Sequence, residues 1–279
     1  MKRCSIKRII SKIRDKLIKF IKFIWNLVKR VFKIYSKKMS VELTGYAKDI
    51  DELSSEMILE GLLGHGLFSQ KLPDLFTSEN FFTWYKEKLP NFEDKGKDYV
   101  RYENMRNVNI PRVLSTPNPF AFARLCNALA ENWEDNIKPK FIENTINQKH
   151  KVSRIHVRKL KDKKHLFEMN YKNFINDENP EQKLAIGKRY YVEADISNCF
   201  PSIYSHSIPW ALVGKDYSKQ KKDAHNEWFN KLDRNIRNTK NEETNGLLIG
   251  PHTSNLISEI ILTTIDKKLV EKGYEYTRY

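Results

Sequence analysis

The first 38 residues alternate apolar and basic side chains at helical spacing. The apolar stripe consists of Ile13, Leu17, Phe20, Ile24, Leu27, Val28 and Val31. This periodicity predicts a basic amphipathic helix. Its longest unbroken apolar run, Phe23–Trp25, is far shorter than the roughly 20 residues that a membrane-spanning helix needs. Two interpretations stay open: the helix binds an anionic membrane surface or RNA, or residues 1–38 are an extension upstream of Met39 that the working protein lacks.

Residues 39–110 predict a helical region made of several short helices and loops. Apolar residues recur at helical spacing between Asp51 and Leu63. The pairs Leu72-Pro73 and Leu89-Pro90 then interrupt the pattern, because a residue before proline avoids the helical conformation. A longer helix is predicted after residue 118, where an asparagine suits the N-cap and a proline suits the first turn. Its apolar positions are Leu125, Leu129 and Trp133.

The pattern becomes that of a strand at Arg189–Ile196, which is rich in β-favouring residues. In a strand, Glu193 and Asp195 share one face, and Val192, Ala194 and Ile196 point to the other. A turn then leads into a helix with Pro201 near its start. A last helix follows Gly246–Ser254, with apolar positions at Leu256, Ile257, Ile260, Ile261, Ile265 and Leu269. The elements together predict the α+β class.

The net charge of +15 is concentrated at one end of the chain. Residues 1–38 contain 14 Lys and Arg against one acidic residue, Asp15, whereas the other 241 residues contain 36 basic and 34 acidic side chains. The body is therefore nearly neutral. The three cysteines, Cys4, Cys126 and Cys199, are far apart and form no paired motif, which favours a reducing, cytoplasmic location.

One basic stretch stands out in the body, with eight cations against Asp162 alone between residues 149 and 164. Its candidate nucleic-acid-binding residues are Lys149, Lys151, Arg154, Arg158, Lys159 and Lys161. Such a stretch can neutralise several phosphates. A solvated loop or hairpin is an equally good interpretation of the charge pattern.

Asp195 is the candidate for metal chemistry, because an acidic residue that ends a strand before a tight turn can hold a metal ion where phosphates arrive. Without further context, a helix-capping aspartate is the commoner explanation. The seven histidines have no metal-binding spacing, and we expect His206, between two serines, to be structural.

Three segments resemble the motifs of bacterial reverse transcriptases of the abortive-infection and defence-associated group. Tyr191–Leu212, which contains Asp-Ile-Ser-Asn-Cys-Phe-Pro-Ser-Ile-Tyr-Ser-His-Ser-Ile, resembles motif A. Gly246–Ser254, together with Glu259 and Ile265-Asp266, resembles motif B. Arg112–Pro119, with its Ser-Thr-Pro-Asn-Pro core, resembles the preceding fingers motif. The matches come in family order and span residues 110–279.

The resemblance implies a right-hand polymerase, with fingers at residues 111–188 and part of the palm at residues 189–279. Asp195 matches the aspartate that binds Mg²⁺, and the carbonyl of Ile196 matches a second ligand. Phe200 matches the steric gate that favours dNTPs over ribonucleotides. Ile249 and Gly250 stand where many members have Gln-Gly, and the loss of the Gln amide leaves both RNA-directed and template-independent synthesis open. Further candidate triphosphate contacts are Arg112, Lys188 and Arg189.

The resemblance also implies a second catalytic motif with adjacent aspartates, and residues 1–279 contain no Asp-Asp pair. We therefore expect this chain alone to be inactive. The expected partners are an RNA or DNA template-primer and dNTPs, with a second copy of the chain as a further candidate. Two alternatives are a non-catalytic fragment that binds nucleic acid or a partner, and a membrane-active basic peptide fused to an inert remnant.

Overall fold

The computed structural model describes residues 43–107, 110–154, 157–159, 166 and 180–278. The chain divides into two compact units, Met1–Leu43 and Thr44–Tyr279. The predicted basic helix at residues 1–38 lies outside the described residues. Everything that follows concerns the second unit.

Short helices begin this unit, as the sequence predicted. They are α1 (Gly45–Asp51), α2 (Ser55–Leu59), a π-helical turn (Glu60–Gly64) and α3 (Glu79–Lys88). The Ser54 hydroxyl accepts a hydrogen bond from the Met57 amide and caps α2. Trp133 is fully buried and its indole N–H donates to the Leu53 carbonyl at 3.0 Å, which joins this region to the next helix pair.

A β-hairpin follows, formed by β1 (Val100–Asn107) and β2 (Ile110–Thr116). The strands are antiparallel, with Tyr102 opposite Leu114, and the register shifts between Met105 and Asn107. The prediction of short helices and loops for residues 39–110 is therefore wrong at β1, where pairing with β2 forms a strand that the sequence pattern did not indicate. Helices and a two-stranded sheet together confirm the α+β class.

The longer helix predicted after residue 118 is α4 (Pro119–Glu131), and it begins as expected. The Asn118 side chain accepts from the Phe120 amide, and Pro119 occupies the first turn. The chain continues as a π-helical turn (Trp133–Ile137) and α5 (Lys138–Thr145). Helix α4 is buried along most of its length because it packs between α2 and a later helix, α10 (Trp228–Asn238).

The described remainder contains six helices. They are α6 (Pro180–Ala185), α7 (Cys199–Ser202), α8 (Ser207–Val213), α9 (Lys215–Gln220), α10 (Trp228–Asn238) and α11 (His252–Glu271). Helix α11 packs against α5 and α8 and buries Leu256, Ile257 and Ile260 in the main core. Among the described helices, none combines the length and apolar character needed to cross a membrane.

The predicted strand at Arg189–Ile196 is not formed. Residues 190–196 have no regular secondary structure, and Tyr190 and Val192 are each 85% exposed. Residues 190–196 therefore provide no strand that ends at Asp195 and packs against α11. A strand needs a neighbour for its backbone N–H and C=O groups, and the described residues place none beside this segment.

Candidate active site

The loop before α11 touches the end of β2. The Ser115 amide donates to the Ile249 carbonyl at 2.8 Å. Gly250 follows with φ +133°, and a Cβ at this position would lie 3.0 Å from the Ser115 carbonyl oxygen. The close approach explains the glycine, because a side chain there meets both an unfavourable backbone angle and a fixed backbone atom. The fingers-like and motif-B-like segments are therefore in direct contact.

Residues 200–205 are joined to the same loop and to the residues just before it by three backbone hydrogen bonds, each 2.8 Å long. The Leu247 amide donates to the Phe200 carbonyl, the Gly246 amide to the Ile203 carbonyl, and the Ser205 amide to the Thr244 carbonyl. These bonds form a short ribbon between residues 200–205 and 244–247. The backbone carbonyl of the half-buried Phe200 is thus hydrogen-bonded to Leu247, which lies two residues before Ile249.

The start of α11 is also anchored by the bend that follows the π-helical turn. The His252 amide donates to the Gly66 carbonyl at 2.8 Å. A Cβ on Gly66 would lie 2.7 Å from the Leu62 carbonyl oxygen and 2.8 Å from the His252 Cβ, so the two backbones can approach this closely only at a glycine. The loop Gly246–Pro251 is consequently held at β2, at residues 200–205 and at Gly66.

Asp195 lies outside this contact, on the exposed segment. Ile196 is 57% exposed and Arg189 is also exposed. The Asp195 carboxylate contributes to the pKa shift of the Cys199 thiol. Burial raises the pKa of that thiol, Arg278 lowers it, and the carboxylates of Asp195 and Glu259 raise it. Asp195 is therefore within electrostatic range of a residue that also senses Arg278 and Glu259.

A buried ionic network joins α11 to Arg278. Arg278 contacts Glu259 through Nη1–Oε1 at 2.5 Å and Nη2–Oε2 at 3.1 Å, and it contacts Asp266 through Nη2–Oδ2 at 2.8 Å and Nε–Oδ1 at 3.0 Å. The Glu259 and Asp266 side chains are 5% and 2% exposed. Both carboxylates also accept from hydroxyls: Glu259 from Tyr46 at 2.9 Å, and Asp266 from Tyr276 at 2.6 Å.

The network fixes the protonation of its members. Burial raises the pKa of Tyr46, and the Glu259 carboxylate raises it further. Burial and the Asp266 carboxylate act in the same way on the pKa of Tyr276. Burial alone lowers the pKa of Arg278, but the two carboxylates outweigh it and the net shift is upward. The tyrosines therefore remain hydrogen-bond donors and the guanidinium remains charged.

Sequence reasoning missed the role of Arg278. It noted Glu259 and Asp266 only as parts of the motif-B-like segment. A usable signal was present, because these two acidic residues fall on the buried side of a helix that also buries Leu256 and Ile260, and buried carboxylates require a cation or hydrogen-bond donors. The signal did not indicate which of the many cations in the chain supplies the charge.

The basic stretch is partly engaged within the protein. Lys151 pairs with Asp49 at 2.6 Å, and Arg154 Nε lies 3.8 Å from Glu181. The Arg158 amide donates to the Leu166 carbonyl, while Lys149 and Lys159 are exposed. Lys161 is outside the described residues. The exposed cations are therefore those at the two ends of the described stretch.

The three predicted triphosphate contacts, Arg112, Lys188 and Arg189, are all exposed cations. Arg112 lies on β2 opposite Asn104. Lys188 pairs with Glu275 at 2.6 Å, next to the exposed Arg189. His206 has the structural role predicted for it, since its Nδ1 lies 3.0 Å from the buried carboxylate of Asp233 on α10.

The side chains around Asp195 fit one ligand of a magnesium ion. Its exposed carboxylate is the hard oxygen donor that Mg²⁺ prefers. The carboxylates of Glu259 and Asp266 are taken up by Arg278. No group of three or more His, Cys, Asp or Glu side chains that could hold a metal ion occurs in the described ranges. Two-ion chemistry needs more ligands than these residues supply.

Comparison with known proteins adds no assignment. No protein family model matches the sequence, and no curated protein is significantly similar to it.

Proposed function

We propose that the chain is part of a DNA polymerase of the reverse transcriptase kind that acts in antiviral defence. The observation that carries the proposal is the convergence of the three motif-like segments. The Ser115 amide binds the Ile249 carbonyl, and the Leu247 amide binds the Phe200 carbonyl, although these segments are far apart in the sequence. Motif resemblance along a chain does not require such contacts, whereas a shared nucleotide site does.

The proposed reaction is nucleotidyl transfer: a primer hydroxyl attacks the α-phosphate of a dNTP, and pyrophosphate leaves. Phe200 is the proposed steric gate against the ribose 2′-hydroxyl, and Ile249 with Gly250 lines the nucleotide site. Arg112 and Arg189 are the proposed triphosphate contacts. Asp195 and the Ile196 carbonyl are the proposed ligands of Mg²⁺, which stabilises charge on the phosphates when it is bound. Because the described residues supply too few ligands, a further carboxylate-bearing segment has to complete the centre.

Primer extension on RNA and DNA templates, and without a template, tests this proposal. The 279-residue chain is expected to make no DNA above background. The same chain joined to a segment that carries an Asp-Asp strand and a thumb is expected to extend the primer, and Asp195→Asn is expected to abolish extension. Asp216→Asn, an exposed aspartate on α9, is the matched control and is expected to leave it intact. Extension that survives Asp195→Asn contradicts the motif A assignment.

A second candidate function, binding of nucleic acid without catalysis, is favoured by the exposure of Lys149 and Lys159. Binding through these cations depends on salt and does not need Asp195. RNA binding by the 279-residue chain that is weakened by Lys149→Gln, combined with no synthesis by the extended chain, favours this candidate over the polymerase.

A further inference from the structure

Both hydrogen-bonding edges of the Arg278 guanidinium are occupied by α11. The edge formed by Nη1 and Nη2 faces Glu259, and the edge formed by Nε and Nη2 faces Asp266. The two carboxylates are two helical turns apart on the same helix. This arrangement requires a planar group with donors on two sides, and among side chains only arginine provides it.

The backbone of the same residue is paired to the basic stretch. The Arg278 amide donates to the Val152 carbonyl at 2.9 Å, and the Arg154 amide donates to the Arg278 carbonyl at 2.8 Å, which makes a parallel bridge. His150 Nε2 lies 2.8 Å from the Tyr276 carbonyl oxygen. Ser153 completes the connection, since its hydroxyl donates to Glu259 at 3.2 Å. Arg278 therefore links α11 to residues 150–154 through its side chain and its backbone together.

The residues linked in this way are neighbours of the exposed cations along the chain. Lys149 directly precedes the paired residues 150–154, and Lys159 follows five residues after Arg154; both lysines are exposed. Moving Arg278 therefore moves residues 152–154, to which its backbone is paired, and with them the neighbouring exposed Lys149.

We propose that Arg278 is a positioning residue for nucleic acid: by bridging Glu259 and Asp266 it holds residues 150–154 in place, and so fixes where the exposed Lys149 and Lys159 meet the phosphates of a single strand. The inference rests on the proposed function, because it assumes a nucleic-acid ligand. Arg278 itself does not contact the nucleic acid.

Arg278→Lys is the decisive variant because it keeps the charge and loses the two-sided fork. Hydrogen exchange is expected to show faster exchange of the Arg154 and Arg278 amides than in the wild type. Binding of a fluorescein-labelled single-stranded RNA is then measured by anisotropy over a series of salt concentrations. The steepness of log K against log salt is expected to fall by about 0.7 for each phosphate of the single strand that the protein no longer neutralises. Since the net charge is unchanged, a shallower slope reports displaced cations.

Arg237→Gln is the matched control, and Arg278→Gln is the stronger variant. Arg237 is in an ion pair with Asp233 on α10, so its substitution removes one charge away from the basic stretch and should leave the salt slope unchanged. Arg278→Gln should make the slope at least as shallow as Arg278→Lys does, and if it does not fold, Arg278→Lys alone decides.

A wild-type slope and wild-type exchange in Arg278→Lys overturn the inference while leaving the proposed function intact. If the wild type does not bind RNA, the proposed nucleic-acid partner and the inference are both overturned. Faster amide exchange in Arg278→Lys would then show that the link to residues 150–154 exists and that only the nucleic-acid partner is wrong.

Discussion

Helix α11 and the segment Arg189–Ile196 both carry regularly spaced apolar side chains, but the structure treats them in opposite ways. In α11, Leu256 and Ile257 are at most 1% exposed. In the other segment, Tyr191 and Val192 are 77% and 85% exposed. Both segments belong to the motif-like part of the chain, so resemblance does not explain the difference.

The difference shows what each kind of element needs from the rest of the protein. A helix satisfies most of its backbone hydrogen bonds within itself, whereas a strand depends on a neighbour. Helix α11 also has partners for its polar groups, because Arg278 and Tyr46 satisfy Glu259. The segment before Asp195 has no neighbouring strand within the described residues, so its apolar side chains stay in water.

The largest expected effect comes from breaking the buried network of α11. Glu259→Ala leaves Arg278 without one of its two carboxylates and Tyr46 without its acceptor. Because removing one partner leaves a buried charge incompletely paired, we expect the free energy of unfolding to fall by about 3–5 kcal/mol. Urea denaturation measures this, with the exposed Glu271→Ala on the same helix as control, expected to change stability by about 0.5 kcal/mol or less. Similar reductions in the two variants would contradict the account of the network.

A matched pair of isoleucines tests the comparison directly. Ile257 on α11 is 1% exposed, and Ile196 beside Asp195 is 57% exposed. Ile257→Ala should destabilise the protein by about 2–5 kcal/mol, because it removes buried methyl groups and leaves a cavity. Ile196→Ala should stay within about 0.5 kcal/mol. A decrease of several kcal/mol from Ile196→Ala would mean that this segment is packed in solution.

The contact between Gly250 and Ser115 should have an intermediate effect. Gly250→Ala places a Cβ 3.0 Å from the Ser115 carbonyl oxygen at an unfavourable φ, with an expected cost of about 1–3 kcal/mol. Gly273→Ala is the control, because Gly273 also has a positive φ but has open space around its Cβ position. The difference between the two variants in urea denaturation measures the crowding at β2. Equal costs would show that φ alone accounts for the glycine.

The smallest expected effect is at the surface of α11, where Lys267 pairs with Glu143 at 2.6 Å. Hydrogen bonds from Lys267 and Lys140 hold the pKa of Glu143 below its ordinary value. The stabilisation is therefore present above the unfolded-state pKa of about 4.3 and is lost as the pH falls through the lower folded-state pKa. Since Glu143 is about half exposed, Glu143→Gln should cost less than about 1 kcal/mol at neutral pH. The cost should vanish in acid, and it should be absent at every pH for Glu87→Gln, an exposed glutamate on α3.

The sequence predicted the elements whose signals are local. Asn118-Pro119 marked the start of α4, and the apolar spacing after Ser254 marked α11. It did not predict the hairpin that begins at Val100, nor the failure of residues 189–196 to form a strand, because both depend on which segments become neighbours. The candidate site divides in the same way. The proximity of Phe200 and Ile249 was implied by resemblance. The link through Arg278 was not, because it joins two segments that are far apart in the sequence: His150 and Tyr276, which take part in the same link, are 126 positions apart.

The buried network has a consequence for the order in which the protein matures during synthesis. Tyr46 and its acceptor Glu259 are 213 residues apart. At ribosomal rates of about 5–20 residues per second, the Tyr46 hydroxyl is made about 10–40 s before the carboxylate that receives its hydrogen bond. Arg278 follows Glu259 by another 19 residues. Throughout that interval the hydrogen bond from Tyr46 to Glu259 cannot form, whereas the contact between Tyr46 and Phe141 on α5 needs only residues that are made much earlier. The ionic network is therefore the last part of the surroundings of Tyr46 to be completed.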